Sequence, residues 1–535
     1  MKSPSMFRGL LSFSSMTMVS RVLGLVRDMS LNVVFGANAV TDAFWVAFRI
    51  PNFMRRLFAE GSFSTAFVPV FTEVKERGTH EDLRRLVSRV SGTLGAVLLI
   101  ITALGLVFAP QVVTVFEPGA LDQPHKFDLT ISLLRLTFPF LLCVSLTALA
   151  AGVLNSFHRF ALPALAPVIL NLCMIAGALW LSKRMAVPIM AMGWAVLVAG
   201  GLQLLFLLPA LRKLDLLVWP RWGWDNPEVK RILKLMVPTL FGSSVAQINL
   251  LLDTVIASFL FVGSQTWLAL SDRLMEFPLG VFGVALGTVI LPALARHHMS
   301  TDREGFQRAL DWGLRTALLI ALPAALALVL LAKPMIATLF QHGRYNAFDT
   351  DMATLSLSTL SCGLPAFALV KVLAPAFYAR QDTRTPVRAA VVAMAVNMLL
   401  NIVFVLLLFA WWHTRADLDD GLIAGLAKVP GLHMALGAAS ALAGYLNLAQ
   451  LWLALRRQGI YRAQAGWLRH LGRTLLACAL MAAVLLAGRW LWPDWTGVGG
   501  WLRLWRLLAL LVAGGATYFA ALWALGFRLR ELREA

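Results

Sequence analysis

Charge is scarce in this sequence. Asp, Glu, Lys and Arg make up 14% of its 535 residues, against roughly 25% in a soluble globular domain, too little polar surface to coat a fold in water. Cysteine is scarce too. The four copies, Cys143, Cys173, Cys362 and Cys478, lie far apart inside apolar stretches, with no CxxC pair and no metal-ligand spacing, and they read as buried thiols. The nine histidines form no HExxH pattern, and there is neither a Walker-type glycine loop nor a GxSxG elbow. No catalytic metal, nucleotide or cofactor is therefore expected. Residues 1–20 lack an apolar core ending in a small-residue cleavage site, so they read as the head of an uncleaved first helix. Acids are the rarer sign, 28 Asp and Glu against 47 Lys and Arg, for a net charge of +19. In a soluble protein that excess would suggest nucleic acid. In a membrane protein it suggests basic cytoplasmic loops, and position decides.

What is abundant is apolar sequence, 59% of residues. A bilayer core of about 30 Å needs roughly 20 apolar residues per helix. Fourteen segments reach that length, over 8–35, 42–70, 90–110, 129–155, 160–182, 186–211, 232–261, 266–295, 313–340, 352–378, 386–412, 431–455, 470–492 and 501–527. With the N-terminus in the cytoplasm, the cytoplasmic regions collect 29 Lys and Arg and the opposite side 10. A bias of that size supports both count and orientation and removes the nucleic-acid reading. Trp411, Trp412, Trp490, Trp492, Trp495, Trp501 and Trp505 gather at helix ends on the non-cytoplasmic side, as an interfacial belt. The longest cytoplasmic connection, near 211–231, separates the first six helices from the rest. Ser14-Ser15 and Ser243-Ser244, and the Arg49/Pro69 and Arg273/Pro292 pairs, echo each other across it, consistent with a parallel repeat.

The unusual feature is charge within the spans, where an ionisable side chain costs from about 3 to more than 10 kcal/mol unless it faces a partner or water. Helix 1 carries Arg21, Arg27 and Asp28; helix 2 carries Asp42, Arg49, Arg55, Arg56 and Glu60; helix 8 carries Asp272, Arg273 and Glu276. Asp42, Arg49 and Arg56 are seven apart and share a face, with Glu60 one turn beyond Arg56. Pro51 and Pro278 favour kinks beside these charges. Six arginines against five acids point to a cationic cavity, the competing reading being mutual pairing with snorkelling. Guanidinium forks in such a cavity would suit phosphate or pyrophosphate. Asp253 is a lone acid in helix 7, a site for cation coupling or a partner for an arginine. The acids Asp417, Asp419 and Asp420 read as a soluble hairpin.

SRVLGLVRD (20–28), TDAFWVAFRIPNFMRRLFAEGSFSTAFVPVF (41–71), SDRLMEFPLGVFGVALGTVILPAL (271–294) and FYARQDTRTPV (377–387) together resemble the MurJ (MviN) family of bacterial lipid II flippases, and the layout extends the match over the whole chain. The resemblance implies an all-α integral membrane fold of the multidrug/oligosaccharidyl-lipid/polysaccharide exporter type, with two six-helix lobes around a central cavity. On that scheme residues 1–212 form the first lobe, 213–231 a cytoplasmic connection, 232–458 the second lobe, and 459–535 two further helices making a groove for the lipid tail. It implies substrate-binding roles for Arg21, Arg27, Arg55 and Arg273, and gating or charge-balancing roles for Asp28, Asp42, Glu60, Asp272 and Glu276. Asp253 matches a ligand position for monovalent cation coupling in some relatives. The implied activity is non-enzymatic: alternating-access movement of lipid II from the cytoplasmic to the periplasmic leaflet of the inner membrane, both termini cytoplasmic. Membrane lipids and other cell-wall synthesis proteins are the expected partners, and nucleic acid is not. The alternative is a flippase for another polyprenyl-pyrophosphate-linked glycan of O-antigen type.

Overall fold

The computed structural model describes residues 4–56, 63–414 and 421–528. Among them are twenty α-helices and no strand. They form two compact units, residues 1–258 and 259–535.

The first unit comprises α1 (Pro4–Phe35), α2 (Ala39–Arg55), α3 (Ser64–Arg77), α4 (His80–Val107), α5 (Ala109–Phe116), α6 (Pro124–Thr137), α7 (Phe140–Ser156), α8 (Ala161–Leu179), α9 (Met190–Arg212) and α10 (Pro227–Ala257). α1 packs on α8, α8 and α7 on α9, and α2 on α6. α10 packs against α2, α3, α4 and α5, which places it with the first unit. The second unit comprises α11 (Ser264–Met299), α12 (Arg303–Leu330), α13 (Ala332–Leu339), α14 (Ala347–Ser361), α15 (Leu364–Tyr378), α16 (Arg384–Trp412), α17 (Leu422–Lys428), α18 (Met434–Arg457), α19 (Trp467–Leu491) and α20 (Gly500–Ala524). α11 packs on α12, α14 and α15, and α16 on α18. The C-terminal pair α19 and α20 lies against α12 and α13.

Among the described residues, ten helical stretches are long and apolar enough to cross a membrane. The described parts of the other four expected segments lie largely in helices as well, α1, α2 with α3, α10 and α11, and these carry the ionisable residues. Several expected single helices are broken. α6 gives way to α7, α12 to α13 and α14 to α15, with Pro139, Pro334 and Pro365 at the start of each new helix, where a missing N–H costs nothing. Pro51 and Pro278 stay inside continuous helices, α2 and α11. Of the cysteines, Cys478 is buried, but Cys362 is exposed, its thiol donating to the Ser358 carbonyl. Trp411, Trp490, Trp501 and Trp505 are exposed, as a belt requires, whereas Trp495 is buried in the core between α13, α19 and α20.

The connection after α9 is not a free tether. Arg221 N–H donates to the Ser88 carbonyl at 2.9 Å, Ser88 Oγ to the Trp219 carbonyl at 2.6 Å, and Gly223 N–H to Thr93 Oγ1 at 3.0 Å. Arg89 donates to the Trp222 carbonyl, and Arg84 pairs with Asp215. The strand of chain lies flat on α4 over Gly92, where a Cβ would collide with the Arg221 backbone. Gly92→Val should therefore cost on the order of 1–3 kcal/mol and lift the connection off α4. Trypsin cleavage at Lys213 and Arg221 should accelerate; an unchanged rate would contradict this account.

Candidate functional site

Arg27 of α1 and Arg49 and Arg55 of α2 each donate to a side chain the fold supplies. α1 runs along α8, which places Asn171 opposite Arg27. Arg27 is 6% exposed; its Nε and Nη2 donate to Asp28 Oδ1 at 2.8 and 2.6 Å, and its Nη1 to Asn171 Oδ1 at 3.2 Å. Asn171 in turn donates to the Ser20 carbonyl at 3.0 Å, so its amide orientation is fixed from both ends. Asp28 is itself 1% exposed. This is an ion pair out of water, in which each partner makes the other's burial tolerable. Arg21, one helical face away on α1, is half-buried.

On α2, Asn38 caps the helix through Val40 and Thr41 N–H, and Asp42 in the first turn is buried. Seven residues on, Arg49 Nη1 donates to Thr254 Oγ1 of α10 at 2.7 Å. Arg55 is half-buried, with its Nε on Asn52 Oδ1 at 2.9 Å. Glu60, the expected partner of Arg56, lies outside the described residues. Asp253 is half-buried and accepts from Asn249 Nδ2 at 3.3 Å.

In the second unit, Arg273 sits 3.7 Å from Glu276, a carboxylate half exposed; Asp272 is half-buried. Lys371 of α15 reaches the Leu279 carbonyl of α11 at 3.3 Å. The acids Asp417, Asp419 and Asp420 lie outside the described residues. Among the described residues no three His, Cys, Asp or Glu side chains converge as a metal site would require.

Sequence spacing gave no signal for a second buried ion pair. Glu117, fully buried after α5, meets Lys126 Nζ at 2.7 Å and accepts from Thr130 Oγ1 at 2.8 Å. Burial pushes the Glu117 carboxyl above its ordinary value; Lys126 opposes that rise, and the field of nearby Asp42 adds to it. Asp42 thus shares its surroundings with two further charges, both contributed by a stretch that reads as a plain loop.

The chain's likeness to known proteins bears on what these charges serve. The family model described as lipid II flippase MurJ matches residues 31–503. A probable lipid II flippase MurJ of Vibrio cholerae is 42% identical over 98% of this chain and 96% of its own length. The lipid II flippase MurJ of Burkholderia cenocepacia is 41% identical, covering 99% of each. Among solved structures, a lipid II flippase MurJ in an inward closed conformation aligns over 95% of this chain and 97% of its own, with a TM-score of 0.76 at 25% identity. An inward-facing multidrug resistance MATE transporter of the MOP superfamily aligns over 84% of this chain and 98% of its own, with a TM-score of 0.63 at 13% identity, a likeness of fold alone. On the family model's span and the identity to full-length relatives, the chain belongs to the MurJ family.

Proposed function

We propose that this chain is a multi-pass transporter of the bacterial inner membrane that moves lipid II from the cytoplasmic to the periplasmic leaflet by alternating access, without chemistry on the cargo. The reading is carried by full-length similarity to proteins named lipid II flippases, and it gives a purpose to the buried and half-buried arginines of the apolar helices. Arg27, Arg55 and Arg273, with Arg21, serve as the pyrophosphate-binding groups. In the resting arrangement Asp28 occupies the fork of Arg27 as a stand-in anion, and the cargo competes for it. Bidentate guanidinium–phosphate bonds are strong enough for that exchange, about 1.5–3 kcal/mol each. The remaining acids balance the cavity charge when cargo is absent. A pyrophosphate carries roughly two negative charges, and each gains about 2.3 kcal/mol per 100 mV on leaving an electrically negative interior, so the membrane potential favours export.

Both termini face the cytoplasm in this reading, on the strength of the loop-charge bias. An impermeant thiol reagent on intact cells should label a cysteine placed in the 413–430 hairpin and spare one at the C-terminus; the reverse pattern would invert the topology. The function itself is tested by depletion. Lipid II should accumulate in the cytoplasmic leaflet, and accumulation of a different polyprenyl-linked glycan would reassign the cargo.

A further inference from the structure

The second unit holds a cavity of about 450 Å³ where α12 and α19 begin and the chain leaves α20. Four arginines line it, Arg308 and Arg315 from α12 and Arg469 and Arg473 from α19. One acid lines it too, Asp311, and its acceptor capacity is taken up. Asp311 is 3% exposed, accepts from the Tyr461 hydroxyl at 2.8 Å and the Trp467 indole at 2.6 Å, and meets Arg315 Nε at 2.7 Å. Arg315 also donates to the Gln464 and Ala465 carbonyls and lies over the Trp467 ring. These two form a rigid floor tying α12 to the segment ahead of α19. Arg308 pairs with Glu304 at 3.4 Å, both side chains more than half exposed. Among the described lining residues the arginines outnumber the one acid.

Cationic and apolar side chains line the cavity together: Phe527 packs near His470, which lies between Arg469 and Arg473 in the sequence, and Leu319 lies furthest along α12. Arg308 to Leu319 is about 16 Å along an α-helix, and Trp312, Leu319 and Phe527 supply the apolar wall. A ligand that fills it needs an anionic head joined to a hydrocarbon part. Inorganic phosphate meets the first condition and fails the second.

We propose that this cavity is a binding site for an anionic phospholipid that stays with the protein, distinct from the transported cargo. Its phosphate lies among Arg308, Arg469 and Arg473, and its glycerol and first acyl carbons lie against Trp312, Leu319 and Phe527. Guanidinium groups keep their charge in a half-dry setting and match phosphate oxygens two at a time, and basic pockets between membrane helices hold lipid headgroups in this way. The site uses none of the arginines assigned to the cargo, so its failure would leave the flippase reading standing. On the orientation proposed above, the lipid comes from the cytoplasmic leaflet.

The test is binding by the purified full-length protein in detergent, read by native mass spectrometry against phosphatidylglycerol, phosphatidylcholine and inorganic phosphate. Phosphatidylglycerol should bind about tenfold more tightly than phosphatidylcholine, and R469Q/R473Q should weaken it by about tenfold or more, roughly 1.4 kcal/mol. R469K/R473K should retain most of the affinity. R296Q/R303Q removes the same charge from the end of α11 and the first residue of α12, outside the cavity, and should change affinity by no more than about twofold. R308E, at a side chain 58% exposed, gives a route that leaves the packed floor untouched and should also weaken phosphatidylglycerol. Equal losses in R469Q/R473Q and R296Q/R303Q would overturn the proposal, as would no loss in R469Q/R473Q and R308E. Displacement of phosphatidylglycerol by inorganic phosphate at comparable concentration would reassign the site to free phosphate and overturn the lipid.

Discussion

Lys126→Met is expected to destabilise the first unit by about 3–5 kcal/mol, the typical result of removing one partner from a buried ion pair. Lys126 is 6% exposed and Glu117 fully buried, so the methionine leaves a carboxylate facing Asp42 with neither water nor ammonium to offset it. The deficit should depend on pH, and the sign can be worked out. Burial raises the Glu117 carboxyl above its ordinary 4.5 even with Lys126 present, and removing the lysine takes away the largest opposing influence. The folded variant then holds a proton that the unfolded chain has released. Stability is therefore least impaired below about pH 4.5 and falls as pH rises through the folded value. E117Q/K126M should recover most of the loss, because a neutral pair has no charge to desolvate. Thermal unfolding in detergent at pH 5 and pH 8 measures all three. A single variant as stable as wild type at pH 8 would mean that the pair contributes nothing.

Arg27→Ala should abolish transport, and the reason can be separated from instability. The substitution removes two hydrogen bonds to Asp28 and one to Asn171, leaving the buried Asp28 carboxylate without its ion-pair partner, a loss of several kcal/mol by the same reasoning. Low abundance alone would then silence the variant. Adding Asp28→Asn removes the stranded charge and should restore protein level. If Arg27 serves the cargo, R27A/D28N accumulates normally and still fails to support growth in cells depleted of the wild-type protein. If the double variant grows normally, Arg27 is a structural ion-pair partner and its assignment to the pyrophosphate is wrong. Arg27→Lys keeps one charge but loses the fork, so it should transport at a reduced rate.

Long apolar runs made the helices legible from the sequence, because a membrane leaves the backbone few alternatives to helix. Pro51 and Pro278 were read as kink sites and sit inside continuous helices, while the breaks beside Pro139, Pro334 and Pro365 fall in segments read as unbroken, so the type of residue alone does not tell a break from a tolerated interruption. The partners of the charged residues were not legible. Arg27 and Asn171 are 144 residues apart, and no periodicity connects them. Lys126 counted as a loop charge, yet it is buried, because residues 117–130 fold back on themselves around Glu117. Trp495 counted toward an interfacial belt for the same reason, its position near a helix end, and is buried instead. The connection over 213–226 read only as the longest cytoplasmic connection, and its attachment to α4 depends largely on backbone hydrogen bonds that leave no trace in side-chain pattern. The charges on α1, α2 and α11 stood out from composition alone, since an arginine in an apolar helix is costly wherever it points.

The hydrogen bond from Arg49 to Thr254 sets a constraint on how the protein is made. The two residues are 205 positions apart, and at 5–20 residues per second the ribosome needs roughly 10–40 s to travel from one to the other. During that interval α2 has been synthesised and α10 does not yet exist. The nascent first unit therefore inserts without this hydrogen bond, which forms only when the tenth helix arrives and closes the unit.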